Sequence, residues 1–269
     1  MERKPKWLRV RYNQEAVEEV ARLLGELKLN TVCKEANCPN LGECYRKHTA
    51  TFMILGSRCT RNCRFCNVIP GHPLPPDPEE PENVAAAVER LGLRHVVLTC
   101  PTRDDLTDGG AAHFAAVLEA IRSRCPGTTV ETLISDMQGN TAALDVIVAA
   151  RPEVLNHNVE TVRALQGAVR PQADYRRSLD VLRYCKKKEP ALLTKTGFMV
   201  GLGETEEQIE ELLDDVLAVG VDILTIGQYL QPSPEHHPLA RYASPEDFAR
   251  YRDMALAKGF RHVASAPLA

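Results

Sequence analysis

Apolar positions change their period along this chain, and the changes divide it into elements. Ala16, Val17, Val20, Leu23 and Leu24 recur at helical spacing behind Asn13, a good N-cap residue type, and predict one amphipathic helix reaching about Leu27. An irregular stretch follows it. From Thr51 onward, short runs rich in β-branched residues predict strands at Thr51–Leu55, His95–Thr99, Thr129–Ile134, Val154–Asn156, Leu192–Val200 and Asp222–Ile226. Amphipathic segments predict helices at Glu82–Leu91, Gly110–Arg122, Thr141–Ala149, Val159–Leu165 with Tyr175–Lys187, Glu204–Val219 and Ser244–Lys258. The proline-rich run Pro70–Pro81 reads as an extended loop.

Six strands alternating with helices imply parallel pairing and βα units, the pattern of an α/β fold. The strand count favours a partial (β/α)6 TIM-type barrel, whose site lies at the strand C-termini; a doubly wound sheet fits the same pattern. A length of 269 residues suits a single barrel of this kind.

Composition adds little until the cysteines. Apolar residues are 44%, charged residues 26% and net charge −3, the profile of a globular chain with no electrostatic sign of a nucleic-acid or anionic-membrane partner. Charged residues interrupt every apolar run before it reaches bilayer length. The basic start Met1–Lys6 has no apolar signal core behind it, so a soluble cytoplasmic protein is expected. The 9 cysteines are an odd total without a secretory signal, which points to metal or redox chemistry rather than a disulfide framework. Cys33, Cys38, Cys44, Cys59, Cys63 and Cys66 cluster, whereas Cys100, Cys125 and Cys185 stand alone and read as unligated thiols.

Cys59, Cys63 and Cys66 have the spacing C-x3-C-x2-C just after the first strand of the array. Thiolates bind soft metals, and three close together on a loop can converge on one iron–sulfur cluster and leave an iron open. Zinc is the alternative, but it prefers paired C-x2-C knuckles and four closed ligands. Cys33, Cys38 and Cys44, spaced C-x4-C-x5-C, form a second set immediately before the first.

The Cys59–Cys66 loop, with Phe65 before its last cysteine, resembles the radical S-adenosylmethionine superfamily. Cys38–Cys44 and Lys47–Gly56 resemble the lipoyl synthase family nearly word for word. So, in the family's order, do Arg103–Leu106, Asp108–Ala111, Asn156–Thr161, Arg170-Pro171, Asp174–Leu179, Thr194-Lys195, Met199–Thr205 and Thr225–Ser233. The resemblance spans almost the whole chain. It implies that residues 50–269 are the partial barrel and residues 1–49 an N-terminal helix and cluster-binding extension.

It further implies two [4Fe-4S] clusters and S-adenosylmethionine. Cys59, Cys63 and Cys66 would hold the catalytic cluster, and Cys33, Cys38 and Cys44 an auxiliary one. The expected enzyme is a sulfurtransferase that places two sulfur atoms, drawn from the auxiliary cluster, on carbons 6 and 8 of a protein-bound octanoyl-lysine. A 5′-deoxyadenosyl radical opens each position, chemistry beyond any side-chain acid or base. Expected partners are octanoylated carrier domains, the glycine cleavage H protein or the E2 of a 2-oxoacid dehydrogenase, and an electron donor such as a ferredoxin or flavodoxin.

Phe65, Asn156, Asn158, Gly201, Gly203, Gln228, Tyr229 and Leu230 are candidate cofactor contacts on the same resemblance. Other readings stand beside several of them: structural hydrogen bonds for Asn156, His157 and Asn158, a tight turn for the glycines, and a helix cap for Glu204. Arg176, Arg177, Arg183 and Lys186–Lys188 are either a docking face for an acidic carrier or a solvated helix face.

Three places depart from the family pattern. Its Arg-Ser-Ser-Tyr motif, whose serine is the fourth auxiliary-cluster ligand, has no counterpart after Ala269, and Ser265 aligns before it. A more weakly held auxiliary cluster is expected, with lipoyl yield rising if the motif is appended. Thr99–Thr102 and Ser135–Met137 also differ without removing an identified ligand. The competing readings are another sulfur-inserting radical enzyme and a non-catalytic iron–sulfur scaffold.

Overall fold

A computed structural model describes residues 4–8, 14–31 and 49–269. Cys33, Cys38, Cys44 and Asn13 lie outside the described residues. The expected first helix is α1 (Gln14–Glu26). Two compact units share the chain: of the described residues, one takes 14–31, 49–61 and 67–155, the other 4–8, 62–66 and 156–269.

In the first unit, β1 (Asn30–Thr31) runs antiparallel to β2 (Thr49–Met53). A small parallel pair, β3 (Arg58–Cys59) and β4 (Ile69–Pro70), brackets part of the cysteine loop. β2 then pairs in parallel with β5 (His95–Thr99), and β5 with β6 (Thr129–Leu133). Three helices complete the βα units: α2 (Glu80–Arg90), α3 (Ala111–Arg124) and α4 (Thr141–Ala149). Pro81 sits in the first turn of α2, where its missing N–H costs nothing, and the Asn140 side chain caps α4 by accepting from Ala142 and Ala143. Val84, Val88, Phe114, Val117, Leu118 and Ile121 bury their side chains from these helices, as Val96, Leu98 and Val130 do from the strands.

The short β7 (Val154–Asn156) carries the boundary between the units. The second unit continues with α5 (Gln166–Val169), α6 (Tyr175–Lys188), β8 (Leu193–Val200), α7 (Glu206–Ala218), β9 (Ile223–Gln228), α8 (Pro245–Lys258) and β10 (His262–Ser265). β8 and β10 flank β9, both in parallel. Thr205 with Gln208 and Ser244 with Asp247 close reciprocal capping boxes at the starts of α7 and α8. Phe198, Leu213, Leu224, Ile226, Phe248 and Tyr251 are among the side chains of its core.

Strand order in the sheet follows the chain, and the sheet is mostly parallel and not closed. The fold is the partial TIM-type barrel expected from the sequence, with two strands beyond the six. β10 was illegible because only Val263 in it is a β-branched apolar residue and two of its four residues are exposed; β1 is two residues long. Val159–Leu165 is not a helix. Glu160 takes a left-handed conformation (φ 66) and pairs with Phe198, so only Arg163–Leu165 turns, as a 3-10 helix. No helix of the described residues is long and apolar enough to cross a membrane.

Asp222 ties three elements of the second unit together. Its carboxylate accepts from Lys186 Nζ (2.8 Å), Thr194 N (2.9 Å) and the Thr194 hydroxyl (3.2 Å), while its carbonyl accepts from His262 N (3.1 Å). Burial works against its charge, but Lys186 and the Thr194 donors outweigh that and hold the carboxyl below its usual range. A depressed folded pKa gives stability that is complete above the unfolded value of about 3.9 and fades as pH falls through the folded one. Asp222→Asn is therefore expected to cost about 1.5–3 kcal/mol at neutral pH. In urea melts across pH, that gap should narrow below about pH 4; a constant gap would refute the account.

Candidate active site

The chain enters the cysteine loop through a constrained turn. Leu55 is buried and left-handed (φ 66), a conformation a branched side chain adopts only under outside hold. The hold is visible on both sides of the residue: Leu55 N donates to Glu80 Oε2 (2.8 Å) and its carbonyl accepts from Arg103 Nη1 (2.9 Å). Glu80 is met in turn by His113 Nε2 (2.7 Å). Arg103, almost wholly buried, also binds the Leu74 carbonyl and both oxygens of Asp105.

Cys59 follows, half-buried. Its carbonyl accepts from Gly71 N (2.8 Å), and its sulfur accepts from Thr102 N (3.2 Å) and Arg61 N (3.4 Å). Two backbone N–H groups thus fix the position of this sulfur. Cys100 behaves differently. Burial, reinforced by Cys59, pushes its thiol up to about 12, which keeps it protonated at neutral pH.

Arg61 lies inside the loop and points into the protein. Its Nε and Nη2 donate to Asp104 (2.7 and 3.0 Å), and its Nη1 and Nη2 to Asp136 (3.0 and 2.6 Å). Asp136 is fully buried and also caps the turn at Gln138. Burial opposes the guanidinium charge, but the hydrogen bonds and charges of Asp136 and Asp104 prevail and raise its pKa. Thr60 Oγ1 completes this anchor, donating to the Thr102 carbonyl (2.9 Å) and accepting from Asp104 N (3.1 Å).

Residues 62–66 belong to the second unit and are held there from several sides. Asn62 N donates to the Gln172 side chain (2.5 Å) and Arg64 N to the Val169 carbonyl (2.8 Å). Phe65 packs on the small cluster of Val169, Leu202 and Tyr229. The Arg64 carbonyl accepts from His237 N (2.7 Å), and the Cys66 carbonyl lies 3.1 Å from His236 Nε2. Cys63 and Cys66 are half-buried, and none of the three loop cysteines is in a disulfide.

The same unit contains the strand ends expected to line the site. Asn156 is buried at the end of β7. His157 is structural: Nε2 pairs with Ser178 Oγ (2.9 Å) and its carbonyl accepts from the Thr196 hydroxyl (2.7 Å). Asn158 stands where a Cβ on Gly197 would meet it at 3.0 Å, and it hydrogen-bonds Glu160. Burial raises the Glu160 carboxyl, against the pull of Arg170 and Asn158.

Beyond β8, Gly201 needs both its φ of 100 and its missing side chain, since a Cβ there would collide with the Gln228 amide and stand 2.5 Å from the Arg241 carbonyl. Gly203 is also left-handed and exposed. Glu204 is not a helix cap, because Thr205 caps α7; its carboxylate folds back on Gly201 N (2.7 Å) and Leu202 N (2.9 Å). Gln228 spends its amide nitrogen on the Val200, Tyr229 and Arg241 carbonyls and its oxygen on Ala243 N (2.8 Å). Tyr229 is buried with its hydroxyl on the His237 carbonyl (2.7 Å), and Leu230 is half-buried.

Three unoxidised, partly exposed thiols on one loop, one already taking two N–H groups, are donor chemistry that fits an iron–sulfur cluster. Among the described residues no three Cys, His, Asp or Glu side chains are already gathered as a metal set.

The radical SAM superfamily profile matches residues 53–216. A lipoyl synthase from Caldanaerobacter subterraneus subsp. tengcongensis is 54% identical over 266 residues, covering 99% of this chain and 93% of its own. One from Alkaliphilus metalliredigens is 53% identical over 269 residues, covering 100% and 93%. The chain belongs to the lipoyl synthase family of the radical SAM superfamily. Among solved structures, methylornithine synthase (PylB) shares the fold at TM-score 0.57 and 14% identity, covering 94% of this chain and 85% of its own.

Within this lipoyl synthase fold, sequence reasoning missed Arg61 with Asp136, Glu160 with Arg170, and His236 with His237. Arg61 had a signal in its position between Cys59 and Cys63, but nothing in the sequence pairs it with aspartates far along the chain. The expected basic face is partly consumed: Lys186 holds Asp222, and Arg183 pairs with Asp180 on its own helix.

Arg61→Leu removes the guanidinium that holds the buried Asp136 carboxylate and should cost about 3–5 kcal/mol in denaturant melts. Arg61→Lys should recover only part of that, since an ammonium cannot fork to two carboxylates. Full recovery by lysine would show that charge alone suffices.

Proposed function

We propose that this chain forms the lipoyl cofactor, inserting sulfur at carbons 6 and 8 of an octanoyl chain held on a lysine of a carrier protein. The observation that carries the reading is identity of more than half to lipoyl synthases along nearly its whole length. Cys59, Cys63 and Cys66 are the residues assigned to the catalytic cluster; Cys33, Cys38 and Cys44, in the extension of residues 1–49, are assigned to the auxiliary one. When bound, the catalytic cluster and S-adenosylmethionine supply one-electron chemistry able to take hydrogen from unactivated carbon.

The chain's own part is to hold and to exclude. Arg61, anchored by Asp104 and Asp136, fixes the loop beside Cys59, and the Thr102 and Arg61 amides hold its sulfur in place. Phe65, packed on Val169, Leu202 and Tyr229, keeps an apolar wall behind Cys66. Asn156, Asn158, Gly201, Gly203 and the β9 end at Gln228, Tyr229 and Leu230 are the proposed cofactor-facing positions. The proposed partners are octanoylated H-protein or E2 domains and a ferredoxin or flavodoxin, in the cytoplasm.

Anaerobic protein with dithionite, S-adenosylmethionine and an octanoyl-lysine peptide should yield 5′-deoxyadenosine, and a peptide gaining two sulfur atoms by mass spectrometry. Cys63→Ser should abolish both products. Cys38→Ser should spare 5′-deoxyadenosine while stopping sulfur insertion. No 5′-deoxyadenosine from the unsubstituted chain would point to a scaffold instead.

A further inference from the structure

The segment that follows β9 does more than connect it to α8. It places two adjacent histidines against the backbone of residues 62–66, within the same compact unit. His237 N reaches the Arg64 carbonyl at 2.7 Å, and His236 Nε2 reaches the Cys66 carbonyl at 3.1 Å. A carbonyl only accepts, so Nε2 of His236 carries hydrogen. Its Nδ1 is 2.8 Å from Ser233 Oγ, which donates to it when the ring is neutral. The same reasoning makes His237 Nε2 a donor to the Leu202 carbonyl, 2.9 Å away.

The histidines are themselves braced. The Tyr229 hydroxyl donates to the His237 carbonyl (2.7 Å), and the Gln231 amide to the Ser233 carbonyl (2.9 Å). Ala240 N fastens the far end of the segment to the Gly201 carbonyl (2.8 Å). Both nitrogens of His236 are thus committed, one to Cys66 and one to Ser233, which leaves no lone pair for a metal. Its place next to a cysteine invites a ligand role, and its hydrogen bonds exclude one.

We propose that His236, oriented by Ser233, is a positioning residue for the cysteine loop: its Nε2–H holds the Cys66 carbonyl and thereby sets how the Cys66 thiol is presented. His237 does the same for Arg64 through its main chain. Residues 62–66 form no helix or strand; Cys66 N holds the Cys63 carbonyl (3.1 Å) within the segment, while the Arg64 and Cys66 carbonyls are held from outside it, and pinning a carbonyl removes a backbone rotation that cluster binding would otherwise have to freeze. The inference rests on Cys66 being a cluster ligand, although the hold itself exists without a cluster.

The test compares His236→Leu, which removes the donor, with His236→Gln, whose side-chain amide can replace it, and with Ser233→Ala. Hydrogen exchange of the full-length, metal-free protein under reducing conditions reads the hold directly. Losing one net hydrogen bond should speed exchange of the Arg64 and Cys66 amides about fivefold in His236→Leu. Exchange in β8 and β9 should not change, and His236→Gln should stay near the unsubstituted chain. Ser233→Ala, the milder change should leucine not fold, loosens the same amides to a smaller degree.

After anaerobic reconstitution, a chelator should strip iron from His236→Leu faster by a similar factor, and glutamine should again restore the slow rate. Unchanged loop exchange in His236→Leu, or glutamine as loose as leucine, would overturn the proposal. If no variant, nor the unsubstituted chain, binds iron through Cys66, the ligand assignment fails separately, since the exchange data still report on His236.

Discussion

The loop that carries Cys59, Cys63 and Cys66 lies outside helix and strand over residues 60–68, so its shape has to come from partners elsewhere. The strongest of these partners is the pair of aspartates gripping Arg61. Four charge-assisted hydrogen bonds converge on one guanidinium, and one of its two carboxylates is sealed from water. Such a site is stable only as a whole: take away the arginine and the buried Asp136 loses two charge-assisted hydrogen bonds, take away an aspartate and a buried cation loses two of these four. Because arginine does not titrate in proteins, the clamp does not switch near neutrality. The conformation of the loop around Cys59 follows from it.

The remaining supports share a logic with that clamp. Leu55 is kept left-handed by Glu80 on its amide and Arg103 on its carbonyl, and Cys59 is fixed by backbone donors to its carbonyl and its sulfur. Residues 62–66 receive donors or acceptors from Gln172, Val169, His236 and His237. At Leu55, Arg64 and Cys66 a side chain or main-chain group far along the sequence satisfies a local backbone polar group that secondary structure leaves open. Rigidity in the cysteine loop is thus imported from the surrounding elements.

This explains what could be read in the sequence and what could not. His95–Thr99, Val154–Asn156 and Thr141–Ala149 have the predicted bounds, because apolar period and capping residues are local signals. Spacing likewise marked Cys59, Cys63 and Cys66. Arg61 with Asp136 and His236 with Cys66 are pairings across long stretches of chain, and nothing local in an arginine or a histidine states which carbonyl or carboxylate it will meet. Val159–Leu165 shows the opposite error. Its apolar spacing suits a helix, yet the pairing of Glu160 with Phe198 on β8 takes priority over that local preference.

The strand ends of the second unit sort by how much hydrogen-bonding capacity the fold has already used. Gln228 and Glu204 each spend both ends of their polar groups on backbone, so they shape the turns after β9 and β8. Asn158 and Glu160 stand apart. Gly197 offers no side chain, which lets Asn158 lie over β8, and Glu160 adopts a left-handed backbone that a non-glycine residue takes at a cost. Burial raises the carboxyl, while Arg170, bound through its guanidinium to the Asn158 and Val159 carbonyls, pulls it back toward its charged form. Just beyond β7 the fold thus holds a carboxyl on which burial and a neighbouring cation act in opposite directions, in a backbone conformation kept by the pairing with Phe198.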